Sequence, residues 1–207
     1  MTKLIISDDE YAALWQYTRN YIDAKCLIRN RKMPGKAKGS TYTWMFYLRN
    51  GLFDPEFAFA IGKMFIYKME RLDPEMNFQI SGLETAATPL VLGIAMTAKY
   101  HGKDINAFIV RKDRKTYGLL NALEGIPNKK LCVLVDDLCN SGRSMARAFD
   151  VLEEEGIEVA NLAFSIVNKS NSTHSVERQT TDMYLPKGMG VVSLFSLDDF
   201  GLTNPSH

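Results

Sequence analysis

Residues 131–144 read Leu131-Cys132-Val133-Leu134-Val135-Asp136-Asp137-Leu138-Cys139-Asn140-Ser141-Gly142-Arg143-Ser144. An apolar run of strand length ends in two adjacent carboxylates, and a short polar turn then leads into a helical pattern from Arg143 to Glu155. The continuous run Val133 to Val135 suits a strand buried on both faces of a parallel sheet. The loop after it would lie at the carboxyl end of that strand, where open α/β sheets bind ligands. Asn140, Ser141, Gly142 and Ser144 offer small polar side chains and accessible N–H groups at a helix start, which suits a phosphate. Ionised Asp136 and Asp137 only accept hydrogen bonds, so together they can hold two hydroxyls. A phosphate with a vicinal diol nearby, as in a ribose 5-phosphate, satisfies both.

The chain of 207 residues is long enough for one domain with a large core. Its formal net charge of +1 gives no global pull toward nucleic acid or a membrane surface. The N-terminus has no signal-like segment, and no apolar run approaches membrane-spanning length. Cys26, Cys132 and Cys139 have no metal or redox spacing, which predicts reduced thiols and a cytoplasmic location.

Along the chain, Ser7 and Glu10 stand at capping-box spacing, and Tyr11, Leu14, Trp15, Thr18 and Ile22 form one face of the helix that follows. Arg29 to Gly39 holds five basic residues in eleven and reads as a loop or hairpin turn. Tyr42 to Leu48 is rich in aromatic and β-forming residues. Asp54 and Pro55 open a helix to about Leu72. Phe78 to Gly82 reads as a strand, Thr88 to Tyr100 as a helix, and Ile105 to Val110 as one strand running into the cationic segment Arg111 to Gly118. Val159–Val167 and Val191–Leu197 complete a set of five strands near residues 78, 105, 131, 159 and 191. Strands alternating with helices predict a largely parallel α/β sheet with right-handed crossovers.

Residues 131–144 closely resemble the PRPP-binding signature of the type I phosphoribosyltransferases. Arg111-Lys112, Lys115, Tyr117-Gly118 and the trailing Leu123-Glu124-Gly125 are similar to the orotate enzymes in particular, as is Tyr47 to Leu52. The resemblance implies the type I phosphoribosyltransferase fold, with an N-terminal helix and hood over 1–53 and the core over 54–207. It implies that PRPP and a base, orotate, are converted to a nucleoside 5′-monophosphate and pyrophosphate, with Mg²⁺ arriving on PRPP. Asp136 and Asp137 would hold the ribose hydroxyls. Asn140, Ser141, Gly142, Arg143 and Ser144 would hold the 5-phosphate, and Thr85 and Ala86 would belong to a diphosphate turn. Arg111, Lys112, Lys115 and Tyr117 would meet PRPP, with Lys115 acting in catalysis alongside the acid pair.

Asn140, Lys169, Tyr47 and Lys38 are the candidate base contacts, and no residue is assigned as a direct metal ligand. The cationic segment closes over a neighbouring subunit in this family, which implies a homodimer with shared active sites. Neither nucleic acid nor membrane is an expected partner. His174, in the polar stretch 170–181, is read as solvated.

The chain also departs from the family pattern. Asn168-Lys169 stands where Asp-Arg is usual, Ala86 where a lysine or hydroxyl residue is frequent, and Asn140 and Arg143 where threonine and glycine or serine are common. Two alternatives follow: the same chemistry on another base, or a non-catalytic regulator or effector that binds PRPP or a nucleotide.

Overall fold

In the computed structural model, which describes residues 5–34, 41–113, 121–169 and 184–202, the first element is α1 (Asp8–Tyr21). Ser7 Oγ accepts the Glu10 N–H at 3.2 Å, while the Glu10 carboxylate turns to Lys63 at 2.7 Å. A π-helical turn (Ile22–Cys26) leads into an antiparallel hairpin of β1 (Leu27–Pro34) and β2 (Thr41–Phe46). Arg29 to Pro34 thus form one arm of a hairpin rather than a loop, paired with β2 at Arg29, Met33 and Pro34 around an irregularity at 30–32. Lys38 and the rest of 35–40 lie outside the described residues.

A short helix, α2 (Arg49–Leu52), comes next, and α3 (Pro55–Leu72) follows. Asp54 Oδ1 accepts the N–H groups of Glu56 and Phe57 at 3.0 and 3.3 Å, and Pro55 starts the helix without sacrificing a needed donor. Next come β3 (Phe78–Ser81), α4 (Ala87–Tyr100), β4 (Asn106–Ala107), β5 (Ile109–Val110), β6 (Leu123–Glu124), β7 (Leu131–Cys139), α5 (Arg143–Glu154), β8 (Val159–Asn168) and β9 (Gly190–Ser196).

The central sheet has the order β4-β3-β7-β8-β9, with every neighbouring pair parallel. The expected two-sided burial of β7 is explicit in its neighbours. Val133 and Val135 pack with Phe65 of α3 and Ile94 of α4, whereas Cys132 and Leu134 pack with Met145, Ala148 and Leu152 of α5. Ile6, Ile22, Leu27 and Phe46 of the N-terminal elements join the first of these clusters. No helix among the described residues is long and apolar enough to cross a membrane.

The predicted single strand over 105–110 is broken at Phe108. Asn106 and Ala107 pair with β3, whereas Ile109 and Val110 pair antiparallel with β6, and Val110 keeps a parallel bridge to Leu83 just past β3. Phe108 buries into the α5-side cluster between them, and a Cβ on Gly125 would stand 2.9 Å from its Cβ. Below this break, the fully buried Gln79 amide is completely engaged. Its Nε2 donates to the carbonyls of Asn128 and Lys130 at 3.0 and 2.7 Å, and its Oε1 accepts from Asn106 Nδ2 and the Asn128 N–H at 3.1 and 2.8 Å.

Helices α3 and α4 approach closely at Gly62, where an added Cβ would stand 2.3 Å from Thr97 Oγ1 and 2.6 Å from Thr97 Cβ. Thr97 is itself held by donating to the Gly93 carbonyl at 2.7 Å. Gly62→Ala should therefore overpack this contact and cost about 1–3 kcal/mol in urea unfolding. A wild-type midpoint would mean that the helices can separate freely.

Candidate active site

The acid pair does not sit after β7 but within it. Asp136 pairs in register with Ser165, Leu138 with Val167 and Cys139 with Asn168, because β8 continues alongside and supplies backbone partners beyond the apolar run. Asp136 is only 7% exposed, and the Asp137 N–H donates to its Oδ1 at 2.9 Å. Burial and the adjacent Asp137 carboxylate hold the Asp136 carboxyl well above the usual aspartate range. Burial also raises Asp137, against its hydrogen bond to Asp136 and the positive charge of Arg49. Lys112 opposes the shift on Asp136. Cations from two distant stretches thus act on one pair of carboxylates. Arg49 had no distinguishing signal in the sequence, since only the fold brings α2 to the end of β7.

Two turns flank the pair. In the first, Gly82 lies so close to β7 that a Cβ would stand 2.3 Å from the Val135 carbonyl oxygen. Only glycine allows β3 to exit there. The Glu84 N–H donates to the Val110 carbonyl at 2.8 Å, and Glu84 Oε1 accepts the Lys112 N–H at 2.9 Å, so this turn and the cationic segment are fastened together. Thr85 is exposed and Ala86 half-buried, immediately ahead of α4. Arg111 is drawn away to Glu124 at 2.7 Å, and Arg147 donates to the Lys112 carbonyl and to Asp113 at 3.2 Å. Lys115 and Tyr117 lie outside the described residues.

The second turn, 139–144, enters α5 through Gly142 at φ +73°, a left-handed conformation that favours glycine. A Cβ there would meet Leu185 Cγ at 2.7 Å. Asn140, Arg143 and Ser144 are exposed and Ser141 is half-buried. Burial pushes the Cys139 thiol up to about 12, so it is a packing group here. The starts of the four long helices separate into two kinds. Ser7 and Asp54 cap α1 and α3, whereas α4 and α5 begin without a side-chain cap and without an acidic residue in the first turn. Both uncapped starts follow the carboxyl ends of adjacent strands and direct a partial positive charge there, which suits two anionic groups of one ligand.

On the hood side, the Lys169 N–H donates to the Cys139 carbonyl at 2.7 Å, and its ammonium lies 4.7 Å from the Trp44 ring centroid. Burial lowers the Lys169 pKa. Arg49 lies over Tyr47 at 5.4 Å. Trp44 was legible only as one aromatic of the hood strand, and its partnership with Lys169 is a product of the fold. Lys38 is outside the described residues, and Asn140 is exposed in the turn that Lys169 buttresses.

Residues 58–188 match the family model described as a phosphoribosyl transferase domain. An orotate phosphoribosyltransferase of Rhodopseudomonas palustris (strain BisB5) is 31% identical over 183 residues, covering 84% of this chain and 92% of that protein. A crystal structure of the Mycobacterium tuberculosis H37Rv orotate phosphoribosyltransferase in complex with Fe(III) dicitrate superimposes with a TM-score of 0.71 at 20% identity, covering 91% of this chain and 99% of that one. Its complex with PRPP gives 0.62 at 20% identity, covering 94% and 93%. The parallel sheet, the acid pair within its central strand and the domain match together make the chain a member of the phosphoribosyltransferase family. Within that family, its similarity is to the orotate enzymes.

The buried Asp136 binds its proton more tightly in the fold than in the unfolded chain. It therefore favours folding at low pH and burdens the fold as pH rises from the ordinary aspartate range through the raised value. Asp136→Asn should raise the urea midpoint of the ligand-free protein at neutral pH, with the advantage shrinking as pH is lowered through that window. A variant no more stable than wild type at pH 7 would contradict a burdened carboxylate.

Proposed function

We propose that this chain transfers the 5-phosphoribosyl group of PRPP to orotate, forming the nucleoside 5′-monophosphate and releasing pyrophosphate. The observation that carries the proposal is the acid pair of β7, with Asp136 buried and Asp137 half-buried, standing between two uncapped helix starts. Asp136 and Asp137 hold the ribose hydroxyls. The turn 140–144 and the start of α5 take the 5-phosphate, and the turn 82–86 and the start of α4 take the diphosphate. Displacement at the anomeric carbon passes through an oxocarbenium-like state and needs little covalent help, so positioning and charge stabilisation dominate. Lys112 and Lys115 meet the diphosphate as its charge grows, with Arg111 and Tyr117 alongside.

The adjacent carboxylates suit Mg²⁺, which is ordinarily held by one or two carboxylates together with substrate phosphates. Asp136 and Asp137 would help hold it, and it would supply positive charge toward the diphosphate. A cation there also favours the ionised pair. On the base side, Lys169 over Trp44 meets the orotate carboxylate as a point charge rather than a planar fork. The buried, free thiols of Cys26, Cys132 and Cys139 suit the reducing cytoplasm that we propose as the protein's location.

A homodimer with shared sites belongs to the same proposal. Between α3 and α4 lies an apolar groove of about 780 Å³, lined by Leu52, Phe53, Leu92 and Met96 and reaching Thr85 of the diphosphate turn. Phe53 is 77% and Met96 72% exposed, and a second copy seated there would stand beside the reacting groups. Met96→Asp should shift light scattering toward monomer and lower turnover. A monomer with full activity would reject shared sites.

The deciding experiment measures pyrophosphate release from PRPP and Mg²⁺ with orotate, with other bases and with none. Release that requires orotate supports the full proposal, and release with another base keeps the chemistry and reassigns the specificity to Lys169 and Asn140. PRPP binding without release under any base would reject turnover. Asp137→Asn should weaken PRPP binding by about 1.5–3 kcal/mol in titration calorimetry, the scale of a lost charged hydrogen bond.

A further inference from the structure

We infer that Tyr184 and Leu185 form a clamp that holds the 139–144 turn in its binding conformation and presents Arg143 as an added cation for the 5-phosphate. The inference rests on the PRPP proposal above and assigns roles in it to residues from a distant part of the chain.

Three contacts join 184–185 to the turn. The Tyr184 N–H donates to the Ser141 carbonyl at 2.9 Å. The Leu185 side chain fills the space beside Gly142 that a Cβ would occupy, 2.7 Å from its Cγ. The Arg143 guanidinium lies 4.2 Å from the Tyr184 ring centroid and donates through Nη2 to the Tyr184 hydroxyl. Backbone, packing and charge therefore converge on three consecutive residues of the turn.

Each contact has a physical consequence. With the Ser141 carbonyl engaged by Tyr184, that carbonyl is directed to a protein donor and not toward an incoming anion. Leu185, only 9% exposed, backs the left-handed Gly142 from which α5 starts. Arg143 is the first residue of α5, so its charge adds to the partial positive charge of an uncapped helix start. An exposed arginine ordinarily samples many rotamers and loses that freedom on meeting a phosphate. Stacked on Tyr184, it has already lost much of it, so the ordering cost on binding falls. Tyr184 is a positioning residue acting through Arg143, and it is 53% exposed, so the ring can be removed with little disturbance of the core.

The test is a double-mutant cycle on ligand binding, read by titration calorimetry with PRPP, ribose 5-phosphate and pyrophosphate. Arg143→Met should weaken PRPP and ribose 5-phosphate by roughly tenfold or more, the scale of a charged hydrogen bond. Tyr184→Ala should weaken both by roughly threefold to tenfold. In the Arg143→Met background the same Tyr184→Ala change should have less than half that effect, and Tyr184→Phe, which keeps the stack, should lie between wild type and Tyr184→Ala. Pyrophosphate binding should be unchanged in all of them. Equal losses for Tyr184→Ala with and without Arg143, or an equal loss for pyrophosphate, would make Tyr184 merely structural and overturn the clamp. If the wild-type chain binds neither PRPP nor ribose 5-phosphate, the proposed function falls together with the clamp; wild-type binding with an additive cycle removes the clamp alone.

Discussion

Two adjacent carboxylates in the central strand, one buried and one half-buried, are the constraint on which the rest of the site depends. Burying a charge is costly unless opposite charge or hydrogen bonds compensate, and Asp136 is almost wholly removed from water. The surrounding structure supplies partial compensation from Lys112 on one side and Arg49 on the other, and it leaves the pair above its ordinary ionisation range. An apolar pair at those positions would make the sheet easier to fold. Retaining the acids concentrates an unmet demand for cations and hydrogen-bond donors at one point of the surface, which is the condition under which a polyhydroxyl ligand with its own cation binds well.

The same logic extends to the helices. At the starts of the long helices α1 and α3, away from the acid pair, a side chain of this sequence closes the helix, as Ser7 and Asp54 do. Where a strand of the central sheet leads directly into a helix beside the acid pair, the closure is omitted at both places. Local stability is forgone at two neighbouring points, so the donors there remain available to something other than the protein.

Much of this was legible from residue pattern. The five strands of the central sheet and the caps of α1 and α3 follow from local rules of periodicity and capping chemistry, because each is decided within a few residues. Features decided by distant contacts were not legible. The strand over 105–110 breaks because Phe108 finds a pocket and Val110 finds a partner at 123, neither of which is visible in the hexapeptide itself. β7 runs on through its acids because β8 is long enough to accompany it. Arg49, Trp44 and Tyr184 enter the site from three separate segments, and each looked ordinary where it stood. Arg111 shows the converse, since a residue singled out for its charge is claimed by Glu124 from the returning strand.

The Gln79 amide has an architectural meaning beyond its satisfied hydrogen bonds. It grips Asn106 as the chain leaves the sheet and residues 128–130 as the chain comes back, so one side chain welds both feet of the excursion that carries the cationic segment. With its feet fixed, the length and composition of that excursion are insulated from the register of β3 and β7. Evolution can lengthen, shorten or recharge such a span at a loop-closure cost that grows only slowly with length. The span between the two feet is thereby free to diverge while the strands that carry the acid pair stay still.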